Sequence, residues 1–132
     1  MDITPIIKLL TSVILGGIIG FEREKLHKPA GLRTMMLVAL GSTLATIISV
    51  DYFNSDPARV AAAILTGIGF LGAGAIISSK NNIHGITTAA TVWVTAAVGI
   101  TVGVGYYFIA IVSSVLIYLI LIFWKIEQKT LK

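Results

Sequence analysis

Asp56-Pro57-Ala58-Arg59-Val60-Ala61-Ala62-Ala63-Ile64-Leu65-Thr66-Gly67-Ile68-Gly69-Phe70-Leu71-Gly72-Ala73-Gly74-Ala75-Ile76-Ile77-Ser78-Ser79 decides the fold class. Asp56 is a good N-cap, and Pro57 suits the first helical position, where its missing N–H costs nothing. From Ala58 to Ile77 the only charge is Arg59, at the edge. At about 1.5 Å per residue this run covers roughly 30 Å, the thickness of a bilayer's hydrocarbon core. It is a transmembrane helix. Gly67, Gly69, Gly72 and Gly74 crowd its second half, each costing about 1 kcal/mol relative to Ala in a helix. Close approach of another backbone would compensate, so this helix is expected at the centre of the bundle.

Gly67-Ile68-Gly69-Phe70-Leu71-Gly72 also matches the G-x-G-x-x-G of dinucleotide-binding folds. That motif needs a preceding strand and an acidic residue about 20 positions on. Neither is present, because no Asp or Glu occurs between Asp56 and Glu127.

The whole chain has the same character. Its 132 residues are 56% hydrophobic and 12% charged, with a mean hydropathy of +0.95, which excludes an ordinary soluble domain. Without cysteine, a disulfide framework or thiol nucleophile is excluded. The net charge of +4 is read as an orientation signal and not as a sign of nucleic-acid binding. The first apolar run precedes the charged cluster instead of following it, so it is expected to remain in the mature protein.

Five spans are expected, at about 3–21, 34–52, 58–78, 87–104 and 106–124, forming one all-α transmembrane domain in the lipid bilayer. The first carries Pro5 and Lys8 near its start, with Lys8 able to snorkel to the interface, and Gly16 and Gly20 as a packing pair. Glu22 to Thr34 is a charged loop. The second span carries Gly41, Ala45 and Ser49 at four-residue spacing; Asp51 to Asp56, with Asn54 and Ser55, is a turn. Ser79-Lys80-Asn81-Asn82-Ile83-His84-Gly85-Ile86 is a short polar loop of reverse-turn composition. Thr87 or Thr88 can cap the fourth span, where Thr87, Thr91, Thr95, Gly99 and Gly103 recur every four residues. That face suits close contact with the central segment or a solute path, although Thr hydroxyls in helices also bond their own i−4 carbonyls. The fifth span has no glycine between Tyr106 and Trp124 and is expected to face lipid, with a short basic tail after it.

Arg23, Lys25, Lys28, Arg33, Lys80, Lys125, Lys129 and Lys132, eight of the ten basic residues, fall on one side. The positive-inside rule then places the N-terminus out and the C-terminus in. No catalytic constellation is found: His27 and His84 lie in loops without a triad partner, so enzymatic activity is not expected. No metal or cofactor site is expected either, because Glu22 with Glu24 and Asp51 with Asp56 are the only acidic pairs and neither has a specific ligand spacing.

Gly16-Gly17-Ile18-Ile19-Gly20-Phe21-Glu22-Arg23-Glu24, Ala30-Gly31-Leu32-Arg33-Thr34, Asp56-Pro57-Ala58-Arg59, Gly67 to Gly74, and His84-Gly85-Ile86-Thr87-Thr88-Ala89-Ala90-Thr91-Val92-Trp93 occur in order. Together they resemble the membrane domain of the MgtC/SapB family, over about residues 10 to 105. The resemblance implies an inner-membrane protein linked to magnesium homeostasis and to adaptation to low magnesium or acid stress. It would act by modulating a membrane partner such as the ATP synthase. It also implies functional roles, as a candidate polar network, for Glu22, Arg23, Glu24, Arg33, Thr34, Asp56, Arg59, Thr87, Thr88 and Trp93. This chain departs from the family pattern at Met35, Ala63 and His84, where His, Gln and Arg are expected. Many relatives carry a soluble C-terminal domain, so ligand sensing of that kind is not expected of these residues.

A homo-oligomer is expected, since the glycine faces exceed what one small bundle needs. The alternative is a transporter or channel for Mg²⁺ or a small solute, running past Gly67, Gly69, Gly72 and Gly74 and the Thr91, Thr95, Gly99 and Gly103 face. In a third, blander reading the charged clusters only set topology.

Overall fold

A computed structural model of the chain describes residues 2–53, 56–79 and 82–130. Five helices follow one another: α1 (Thr4–Lys25), α2 (Leu32–Tyr52), α3 (Pro57–Gly74), α4 (Ile86–Gly103) and α5 (Tyr107–Thr130). Each is long and apolar enough to cross a membrane. Between α3 and α4 stands a small antiparallel hairpin, β1 (Ile77–Ser79) and β2 (Asn82–His84), paired Ile77 to His84, Ser78 to Ile83 and Ser79 to Asn82. Of the stretches expected to be turns or tail, Asn54, Ser55, Lys80, Asn81, Leu131 and Lys132 lie outside the described residues.

The helix ends differ from expectation for local reasons. Helix α1 runs on through Glu22, Arg23 and Glu24 to Lys25, which shortens the charged loop. Helix α3 stops at Gly74 instead of continuing to residue 78, because the chain leaves the helix at Ala75 and turns into β1. Neither Thr87 nor Thr88 caps α4. Its N-cap is Gly85, in the left-handed region at φ 92° and without a side-chain cap bond. A Cβ at Gly85 would collide with the Ala75 carbonyl oxygen, so this position needs glycine both for its backbone angle and for its space. Helix α5 extends through the basic tail as far as Thr130.

The larger correction concerns the centre of the bundle. Half of the α4 span is buried, against 6% of the α3 span, and Gly72 is the one buried residue of α3. A Cβ at Gly67, Gly69 or Gly74 would have nothing within 4 Å. The centre is instead α2 and α4, with α1 and α5 packed beside them and α3 attached mainly to α4. Close approach does occur at glycines, but tightest at those of α1 and α4, while on α3 Gly72 alone approaches a neighbour, with a Cβ there 3.3 Å from the Ala89 carbonyl oxygen. A Cβ on Gly16 would sit 2.7 Å from the Met35 carbonyl oxygen, and one on Gly20 2.8 Å from Leu32 Cα. One on Gly99 would sit 2.5 Å from the Ala39 carbonyl oxygen, and one on Gly103 2.5 Å from Thr46 Cβ.

The four-residue face of α4 is therefore a packing face, as Thr91, Thr95, Gly99 and Gly103 are all buried. Its partner is α2 and not α3. Thr87, at the start of the same row, is exposed. On α2 the expected stripe of Gly41, Ala45 and Ser49 holds only at Ser49, which is buried; Gly41 is exposed and Ala45 half-buried, and Ser42, Thr43 and Thr46 are buried beside it. The hydroxyls of Thr43, Thr46, Ser49, Thr91 and Thr95 are satisfied within the bundle, as membrane burial demands. Thr43 Oγ1 donates to the Gly99 carbonyl at 2.7 Å, crossing from α2 to α4. Thr91 and Thr95 donate to Thr87 and Thr91 carbonyls of their own helix, each at 2.7 Å, and Ser49 Oγ reaches the Pro57 carbonyl of α3 at 3.2 Å.

Lys8 makes a bond that snorkelling alone does not supply. Its Nζ donates to the Gly103 carbonyl at 2.8 Å, placing a cation on the C-terminal end of α4, where the helix dipole favours it.

Candidate functional site

The densest charge in the chain sits where α1 ends, α2 begins and the hairpin leads into α4. Glu22 and Arg23 occupy the last turn of α1 and are buried, at 4% and 3% exposure. Arg23 Nε donates to Glu22 Oε2 at 2.7 Å. A buried charge needs such a partner, because isolated ions are strongly disfavoured away from water. Glu22 Oε1 is also buried and, among the described residues, has no hydrogen-bond partner.

Glu24 has a separate task. Its Oε2 accepts from the Leu32 N–H at 2.9 Å, satisfying one of the free donors at the start of α2. The N-cap of α2 is Gly31, which has no side chain to do this, and a Cβ there would collide with the Glu24 carboxylate. The Ala30-Gly31-Leu32 motif is thus the receiving half of a cap supplied by α1. Between them the chain reverses at His27, whose φ of 52° is left-handed. The His27 and Lys28 N–H groups bond back to the Glu24 and Arg23 carbonyls, both at 3.0 Å.

Above Arg23 lies a pocket of about 400 Å³ lined by Arg23, His27, Lys28, His84, Thr87 and Thr88, among others. A second pocket, about 620 Å³, shares Arg23, Lys28 and Thr87 with the first and extends along α5 to Trp124 and Glu127. Thr88 is buried, at 2% exposure.

The ten residues proposed as one polar network are spread over the molecule. Glu22, Arg23, Glu24, Thr87 and Thr88 gather at this end, with Arg33 exposed nearby on α2. Thr34 turns instead into the groove between α2 and α3, beside Val38, Ile64 and Ile68. Asp56 and Arg59 stand at the opposite end, where Asp56 Oδ1 accepts the Arg59 N–H at 3.3 Å as the α3 cap. Trp93 is 44% exposed on α4. The structure adds His27, Lys28 and His84 to the site. Two sequence-distant loops meet there only because α1 and α4 run side by side, a contact with no signal in either loop. Among the described residues, no three His, Cys, Asp or Glu side chains come together as metal ligands.

The model of the MgtC family matches residues 9–129, nearly the whole chain. The chain belongs to the MgtC family. Its relatives include the protein named "Putative magnesium transporter YhiD" of Escherichia coli (strain K12), 45% identical over 125 residues, a match covering 88% of this chain and 58% of that one. Protein MgtC of Brucella abortus (strain 2308) is 49% identical over 110 residues, covering 83% and 46%. Protein MgtC of Salmonella typhimurium (strain 14028s / SGSC 2262) is 41% identical over 112 residues, covering 85% and 48%. The MgtC-family chain thus spans about half the length of the curated relatives it matches. No solved structure matches it.

Proposed function

We propose that this MgtC-family chain is the membrane part of a magnesium-linked protein of the bacterial inner membrane, acting by contact with a membrane partner and not by catalysis. The observation that carries the reading is that glycines of α3 stand open: a methyl group added at Gly67 or Gly74, seven residues apart on one face, or at Gly69 on the other side of the helix, would have no neighbour within 4 Å. Such glycines destabilise an isolated helix and are useful where a second helix comes close. The occupant is another copy of the chain, giving a homo-oligomer, or a helix of a larger complex, for which the resemblance points to the ATP synthase. The link to magnesium rests on the family and on the naming of the E. coli relative. The basic residues Arg23, Lys25, Lys28, Arg33, Lys125 and Lys129 all belong to the end where α1 and α5 finish, with Lys8 and Arg59 at the other, which supports an N-out, C-in orientation.

The second reading is transport, favoured by the name that the E. coli relative carries. Its path would run along the same α3 glycines, enclosed by a second copy. One experiment separates the two. Purified chain is reconstituted alone into liposomes, and Mg²⁺ and proton flux are measured with Gly69→Leu as control; the same vesicles are then prepared with ATP synthase. The regulatory reading expects no flux from the chain alone and reduced ATP-driven proton pumping, restored by Gly69→Leu. Saturable flux that Gly69→Leu abolishes would replace that reading with transport.

A further inference from the structure

The pocket above Arg23 has the composition of an oxyanion site, and we propose that it binds a phosphate group, carried by a lipid headgroup or free in solution. Three kinds of donor converge on it. Arg23 is buried, at 3% exposure, and its contact with Glu22 uses Nε alone, so both Nη groups have no partner among the described residues. An arginine fork with two free N–H₂ groups is suited to the paired oxygens of a phosphate. Thr88 lines the same pocket; it is 2% exposed, and its hydroxyl has no hydrogen-bond partner among the described residues. The third is the start of α4. No side chain caps it, and its first intrahelical donor is Ala89 N–H, bonded to the Gly85 carbonyl at 2.9 Å. The N–H groups of Ile86, Thr87 and Thr88 therefore remain available at the positive end of an 18-residue helix.

The surrounding charge agrees. His27, Lys28 and His84 line the pocket and no Asp or Glu does. Of the acidic groups at this end, Glu22 holds Arg23 Nε through Oε2 while its Oε1 is buried without a partner among the described residues, Glu24 accepts the Leu32 N–H, and Glu127 lines the neighbouring pocket along α5. The Arg23 Nη groups, the Thr88 hydroxyl and the uncapped start of α4 keep donor capacity that an anionic acceptor can use. A phosphate group satisfies all three together. The site's place at the end of the spans is the level of lipid headgroups, where basic pockets between helices receive anionic lipids.

The test uses the full chain in nanodiscs. In one arm, the discs are phosphatidylcholine, inorganic phosphate is titrated, and binding is followed by the thermal unfolding midpoint and ³¹P NMR line width. In the other, phosphatidylglycerol replaces part of the lipid, and retained lipid is counted by native mass spectrometry. Thr88→Val and Lys28→Gln are each expected to weaken binding about tenfold, the loss of one hydrogen bond or ion contact to a charged group. The double change Lys125→Gln with Lys129→Gln, on the basic tail, is expected to leave it unchanged. Lys28→Gln, an exposed position, keeps the test readable if Thr88→Val does not fold. Binding in the phosphate arm assigns a soluble phosphate; binding in the lipid arm alone assigns a headgroup. No binding in either arm, or binding that the tail change weakens as much as the pocket changes do, overturns the proposal.

Discussion

Glu22 is the residue under most constraint, because one carboxylate oxygen holds Arg23 and the other is buried with no partner among the described residues. Removing the carboxylate leaves the largely buried Arg23 guanidinium without its ion-pair partner, and breaking a buried pair from one side costs about 3–5 kcal/mol. Glu22→Ala is therefore expected to lower stability by roughly 3 kcal/mol, measured by denaturant unfolding in micelles. Glu22→Gln, which keeps an acceptor for Arg23 Nε, should lose less. Equal losses would show that packing volume, and not the ion pair, sets the cost. The sequence shows that Glu22 and Arg23 sit at the edge of a span. It does not show that they are buried, since that depends on α1 continuing through Lys25. A run of charges next to a Pro-Ala-Gly segment has the composition of a loop whether or not the helix extends into it.

Helices α3 and α4 show how far a glycine pattern can be taken. Both carry regularly spaced small residues, and the pattern alone predicts close packing for both. For α4 the chain supplies the partner along the row, as Ala39, Ser42, Thr43 and Thr46 of α2 lie against Gly99 and Gly103, whereas on α3 it does so only at Gly72, against Ala89. The period of the row was legible, whereas the identity of the facing helix was not, because small residues mark close approach without naming what approaches. The same contrast predicts opposite effects of one substitution. Gly99→Ala puts a methyl group 2.5 Å from a backbone oxygen and is expected to cost about 1–3 kcal/mol by overpacking. Gly67→Ala meets nothing and should be neutral or stabilise by up to about 1 kcal/mol through helix propensity. Unfolding of the two variants in micelles checks this. A loss at Gly67 as large as at Gly99 would mean that the α3 face is already occupied in the purified protein.

For the molecule as a whole, five spans, their order and the outer position of α5 follow from hydropathy and glycine content, and α5 is mostly exposed. The interior arrangement depended on tertiary choices that hydropathy does not encode: α4 packs on α2 as well as on α3, and Lys8 reaches across to Gly103. Orientation has its own test. Single cysteines at Lys28, Arg59 and Lys125, in a chain with no native cysteine, are expected to react with a membrane-impermeant maleimide in intact spheroplasts only at position 59. Labelling at 28 and 125 but not at 59 would reverse the topology. Helix length adds a mechanical consequence. Helix α3 ends after 18 residues and α5 after 24, about 27 Å and 36 Å along their axes. With its flank mostly uncovered, α3 meets the lipid directly, and its helix falls short of a hydrocarbon layer about 30 Å thick. The bilayer beside α3 must thin or the helix must bring its flanks inward, so a neighbouring helix that is itself short relieves the mismatch there, and membrane thickness becomes a variable that sets how readily that neighbour is recruited.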